Sequence, residues 1–222
     1  MNAKVRSAAA PGQGHAFNAL LIVSLLLLWP ATPALASHME STVALKTACE
    51  TSPGNTVFLN HPTKISAGAQ TGTEREVVGT GCTIVLGSSG KFEVDERAMW
   101  FEGPLTITGG DYASVVFIES TVTANAITLT LTGRDSVLLV TESRLQTWPT
   151  GNPPVERGNL TIDMGPGGKV EIMKQLKPEF GGGGTLSAHG AINITGDTRF
   201  NMTLVEAHVG AQRGIRVTMA GP

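Results

Sequence analysis

The sequence predicts an all-β protein: a parallel β-helix, a solenoid of short strands, preceded by one small helix. Three observations point there. From about residue 55, apolar and polar residues alternate with period 2 in short segments rich in Thr, Val and Ile. These segments recur every ~10–12 residues, or ~20–24 taken in pairs, a repeat length found in solenoids. Between residues 37 and 222 there is no Asn-Gly or Asp-Gly dipeptide, the strongest short signals of a β-hairpin. A β-sandwich, the alternative, also has closely spaced short strands but needs hairpins. A β-helix needs only bends.

Residues 1–36 stand apart. Lys4 and Arg6 give a positive start, Leu20–Trp29 is an apolar run, and Ala34-Leu35-Ala36 is a small-residue cleavage site. This is the pattern of a secretory signal peptide, and the run is shorter than the ~20 residues a membrane span needs. Residues 37–222 are expected to form a single domain, with no membrane span after cleavage. Their destination is secreted, extracellular or cell-surface. There, an even pair of cysteines, Cys49 and Cys82, reads as one disulfide. The alternative is two buried thiols.

STVALKTACE (41–50) is the helix candidate. Val43, Ala44, Ala48 and Cys49 fall on one face, widened by Leu45, and Ser41 or Thr42 is the cap. Pro53 and Gly54 end it. Strand segments follow at 83–87, 91–96, 104–110, 114–120, 126–133, 136–143, 159–165, 169–174, 191–196, 201–207 and 215–221. The expected inward pairs are Leu105/Ile107, Val115/Phe117, Ile127/Leu129, Val137/Leu139, Leu160/Ile162, Val170/Ile172, Ile192/Ile194 and Met202/Leu204. Two interruptions break the rhythm. QTWPTGNPPVERG (146–158) carries three prolines and Trp148. LKPEFGGGG (176–184) is the second. Insertions in a solenoid loop out on one face, where binding residues collect.

The front of the chain, LKTACETSPGNTVFLNHPTKI, resembles the entry to the pectate-lyase-like right-handed β-helix superfamily. The matching elements are Ala44-Leu45-Lys46-Thr47-Ala48, the Gly54-Asn55 turn and Thr56-Val57-Phe58-Leu59. The resemblance implies a right-handed helix whose first coil is covered by the small helix, with Cys49 to Cys82 pinning the cover. It implies fold rather than activity. A second likeness lies in STVTANAITLTLTGRDSVLLVTESRL (120–145), which is similar to segments of the dispersed gene family of large parasite surface proteins. Those proteins are far longer than this chain.

Composition removes several functions. Net charge is −2, so nothing electrostatic favours nucleic acid. No P-loop, Gly-x-Ser-x-Gly elbow or calcium-repeat array occurs, and neither a cofactor nor a metal site is expected. Glycan cleavage in this fold needs clustered acids for proton transfer. The Asp residues, at 95, 111, 135, 163 and 197, are dispersed, and His189 reads as a bend residue. Glu119 and Glu142 end neighbouring strand segments, so a solenoid would stack them on adjacent coils. Asn159, Asn193 and Asn201 open Asn-x-Thr sequons, acceptors of N-glycans in a eukaryotic secretory pathway. The function expected is adhesion: a non-catalytic module binding an extracellular glycan or protein surface. Trp148, Arg157, Glu119 and Glu142 are the candidate binding residues. A carbohydrate-active enzyme with a reduced site is the alternative. The strand at 215–221 is followed by no covering helix, which points to possible end-to-end self-association.

Overall fold

The computed structural model describes residues 39–148, 158–173 and 184–219. Residues 1–38, Arg157 and most of both interruptions lie outside them. The chain is a right-handed parallel β-helix with three parallel sheets and one short helix. The first sheet stacks β1 (Thr56–Leu59), β4 (Cys82–Leu86), β7 (Leu105–Gly109), β10 (Ile127–Leu131), β13 (Leu160–Met164), β16 (Ile192–Gly196) and β19 (Ile215–Met219). The second stacks β2 (Thr63–Ile65), β5 (Lys91–Asp95), β8 (Ser114–Ile118), β11 (Val137–Thr141), β14 (Lys169–Met173) and β17 (Asn201–Val205). The third stacks β3 (Glu76–Val78), β6 (Ala98–Phe101), β9 (Thr121–Ala124), β12 (Arg144–Thr147), β15 (Thr185–Ala188) and β18 (His208–Ala211). Six coils contribute one strand to each sheet, and β19 adds a seventh strand to the first.

The core follows from period 2. Inward residues stack on equivalents one coil away: Val57, Ile84, Ile107, Leu129, Ile162 and Ile194 form one buried row of the first sheet. In the second sheet Phe92 and Phe117 meet edge-on at 6.5 Å. One expected inward pair is corrected. In β11 it is Leu138 and Val140 that are buried, while Val137 and Leu139 face out. The segment Val137-Leu138-Leu139-Val140 has no alternation of its own. Its register is set by pairing, which puts Leu138 over Val115 and Val140 over Phe117.

Corners replace hairpins. Between the first and second sheets each described coil after the first holds one left-handed residue: Ser89, Tyr112, Asp135, Gly167 or Arg199. Their N–H groups climb the stack, Ser89 donating to the carbonyl of Asp111, Tyr112 to Arg134, Asp135 to Pro166 and Gly167 to Thr198. Between the second and third sheets the left-handed residues are Glu96, Glu119, Glu142 and Glu206. Glu119 and Glu142 thus occupy equivalent corners on adjacent coils. Inside this corner, serines extend the ladder: the Ser120 hydroxyl accepts from Arg97 N–H (3.2 Å) and the Ser143 hydroxyl from Ser120 N–H (2.9 Å).

The helix, α1 (Thr42–Thr51), is capped by Ser41, whose hydroxyl accepts from Ala44 N–H at 3.1 Å. It buries Thr42, Leu45 and Cys49, with Ala44 and Ala48 packed beside them. Val43, expected on this face, is exposed. Thr42 takes the place instead because its hydroxyl accepts from Ala69 N–H and its own N–H donates to Ala67. A turn at Pro53–Asn55, with Gly54 and Asn55 at positive φ, swings the chain into β1. Cys49 and Cys82 form a disulfide that ties α1 to the second coil.

Candidate functional site

The outward faces of the three sheets differ in chemistry, and the difference selects a site. On the first sheet Thr56, Thr83, Thr106, Thr128 and Thr161 stack in one row. Asn193 extends it, outward from β16. On the second sheet charges neutralise one another. Lys64 lies 2.9 Å from Glu93 and 2.7 Å from Asp95, Lys91 is 2.5 Å from Glu93, and Lys169 is 2.6 Å from Glu171. Burial pushes the Glu93 carboxyl upward, but hydrogen bonds from Lys91 and Lys64 outweigh it, and the net shift is downward. The Lys64 ammonium is held above its ordinary range, chiefly by its hydrogen bond to Asp95 and then by that to Glu93. Both shifts favour the charged forms. A proton-transfer group near neutral pH needs the opposite, so this cluster is a set of ion pairs.

The third sheet carries the aromatic residues. Trp100 faces outward from β6. In the same outward row of the coils that follow stand Thr123, Gln146 and Ser187. Asn125, Trp148, His189 and Gln212 each directly follow a third-sheet strand, so they share one corner row. The backbone fixes that row: Trp148 N–H donates to the carbonyl of Ala124 at 2.8 Å, and His189 N–H to the buried Thr147 hydroxyl at 3.1 Å. Thr147 in turn donates to Gly158, the first described residue after the Pro-rich interruption. Trp148 therefore sits at a rigid root, although the insertion begins at its carboxyl side.

The rings meet. Trp148 lies 6.4 Å from Trp100, inclined at 53°, and 5.0 Å from His189, inclined at 68°. The guanidinium of Arg75 stands 3.7 Å above the Trp100 ring. The Gln212 amide reaches His189 Nδ1 at 3.1 Å. Trp148 is 44% exposed. Asn125 Oδ1, on the same corner row, is buried and has no hydrogen-bond partner among the described residues. The result is a strip of three rings between the second and fifth coils, flanked by amide and guanidinium donors. Trp148, the last described residue before 149–157, lies at one edge of this sheet, and Gly184, the first described residue after 174–183, lies at the other, ahead of β15.

The other candidate residues fall elsewhere. Glu119 and Glu142 lie on the opposite edge of the third sheet. Both Glu142 carboxylate oxygens are buried and, among the described residues, accept no hydrogen bond. Asn159 uses its side-chain oxygen to accept from Ala191 N–H at 2.9 Å, and Asn201 is exposed at the start of β17. The acids do not gather. Asp95 pairs with Lys64, Asp111 with Arg134, and Asp163 accepts from the Thr195 hydroxyl at 2.6 Å. Among the described residues no three His, Cys, Asp or Glu come together. Sequence reading reached Trp148 and missed Trp100, Arg75 and the partnership with His189. The available signal was the separation of the two tryptophans by about two coils, which is legible only once the third strand of each coil is counted.

Searches against protein-family models, curated proteins and solved structures find no match to this chain. Function therefore rests on the geometry of the site.

Proposed function

We propose that this protein is an extracellular or cell-surface adhesion module that binds a saccharide along the third sheet. The observation that carries the reading is the exposed Trp148 ring, flanked by Trp100 and His189 on a rigid corner row. Aromatic faces on a surface, bordered by amide groups, suit the apolar face and hydroxyl rim of a sugar ring. The signal-peptide pattern supports an extracellular setting.

The test is a glycan array probed with the protein secreted from the full-length chain, followed by titration of the best hits by tryptophan fluorescence. Trp148→Ala is expected to weaken binding by about tenfold or more, the worth of one stacked ring and its buried area. Trp148→Phe should recover part of it. Undiminished binding by a folded Trp148→Ala protein would overturn the site.

A further inference from the structure

We infer that the saccharide bound along this strip is anionic, carrying a carboxylate or sulfate that Arg75 receives; the inference rests on the glycan-binding reading above. It starts from how the cations of the molecule are used. Lys46, Lys64, Lys91, Arg134 and Lys169 each have a carboxylate within 4 Å. Arg97 is buried and spends its guanidinium on the carbonyls of Glu96 and Ser66. Arg75, like Arg144, Arg199, Arg213 and Arg216, is exposed and has no carboxylate within 4 Å among the described residues; what sets it apart is that its guanidinium stands over the Trp100 ring, 3.7 Å from the centroid.

Stacking on an indole restricts a guanidinium's freedom without consuming its N–H donors, because the contact uses the π face and the donors lie in the plane. Arg75 thus presents a forked donor over the Trp100 ring, whose centroid lies 6.4 Å from that of Trp148. A planar fork of this kind matches carboxylate and sulfate oxygens. Of the carboxylates adjoining it in sequence, Glu76 pairs with Lys46 at 3.3 Å and Glu74 forms no ion pair with it. The row of Glu96, Glu119 and Glu142 borders the opposite edge of the sheet. Among the described residues, no outward strand position of the third sheet from Val77 to Gly210 is acidic.

The ring angles limit the ligand's form. Neighbouring rings are inclined by 53° and 68°, so they make no common plane for the flat face of a crystalline polysaccharide. With the Arg75 guanidinium over Trp100, Trp148 is the ring left to stack a sugar. One sugar on Trp148 with its charged neighbour on Arg75 defines a short segment of a single chain.

The experiment uses a heparin-derived octasaccharide, its fully desulfated form and its carboxyl-reduced form, with neutral chito- and cello-oligosaccharides beside them. Binding to the secreted protein is measured by calorimetry at two salt concentrations. The native octasaccharide should bind, more weakly at high salt. Arg75→Ala should weaken it about tenfold, and Arg75→Lys by less. Arg134→Ala, at a cation already paired with Asp111, should change nothing. Loss of affinity in the desulfated form alone assigns sulfate, and in the carboxyl-reduced form alone assigns carboxylate. Neutral oligosaccharides binding as tightly, or a folded Arg75→Ala protein binding as well as the parent, would overturn the anionic assignment while leaving saccharide binding intact. Absence of binding to any oligosaccharide would overturn both readings.

Discussion

Ser120 shows how a single hydroxyl supports the corners of this solenoid. It accepts from Arg97 N–H, donates toward the carbonyls of Ile118 (2.7 Å) and Val94 (3.1 Å), and is buried. Ser120→Ala removes no apolar contact but strands a buried N–H. That costs about 1–3 kcal/mol. Urea denaturation should show a lower midpoint with an unchanged slope; an unshifted midpoint would mean the bend does not need the ladder. Glu93 offers a test with a defined sign. Its folded pKa lies below the ordinary carboxylate value, so its stabilisation is present above about pH 4.3 and is lost as pH falls through the lower folded value. Lys64 has the opposite profile: its folded pKa is raised, so its contribution holds below about pH 10.4 and disappears only as the solution becomes more alkaline than that. Glu93→Gln should therefore lose less stability than the parent between about pH 6 and pH 3. Parallel pH profiles for the two proteins would sink this assignment.

At the scale of elements, the disulfide joins the covering helix to the coils. Cys49 and Cys82 are 33 residues apart, and closing a loop of that size restrains the unfolded chain by roughly 3–4 kcal/mol. The double variant Cys49→Ser, Cys82→Ser should lose about that much, and reduction of the parent should match it. A variant as stable as the parent would mean that α1 docks by its buried Leu45 and Thr42 contacts alone. The same elements explain what sequence reading reached. The first and second sheets were legible because their strands alternate strongly, as in Leu105-Thr106-Ile107 or Lys169-Val170-Glu171-Ile172. The third sheet was not. Its described strands are four residues or fewer, and their second inward place often goes to a small or polar residue: Ala124 in β9, Thr147 in β12, Ala188 in β15. Low apolar contrast over so short a run leaves little periodic signal. The sheet that carries the candidate site was thus the one hidden, and Trp148 was visible only because prolines surround it. Val137 and Leu139 were assigned inward for the converse reason, since a fully apolar run contains no register.

At the scale of the molecule, the two ends of the core are unlike. At the first coil, α1 lays Leu45 and Cys49 into the core. In the last coil the rows that are buried elsewhere come to the surface. Leu204 continues the row of Ile172, and Ile215 and Val217 continue those of Ile192 and Ile194, yet all three are about half exposed. Among the described residues β17, β18 and β19 are the last strands of their sheets. Apolar surface beside strand edges favours association. In residues 37–222 taken alone α1 covers the first coil, so this face meets its own equivalent best, and a like-with-like contact closes at two. Residues 37–222 expressed alone are therefore expected to show a concentration-dependent monomer–dimer equilibrium by sedimentation, without growth into fibres. Val217→Asp places a charge in the middle of that contact and should return the protein to monomer. It should leave the coils beneath it folded, since solenoid stability is set by nearest neighbours and Val217 has a coil on one side only. A parent that stays monomeric at high concentration would end the proposal. Fibres would show instead that the face meets a surface other than its own.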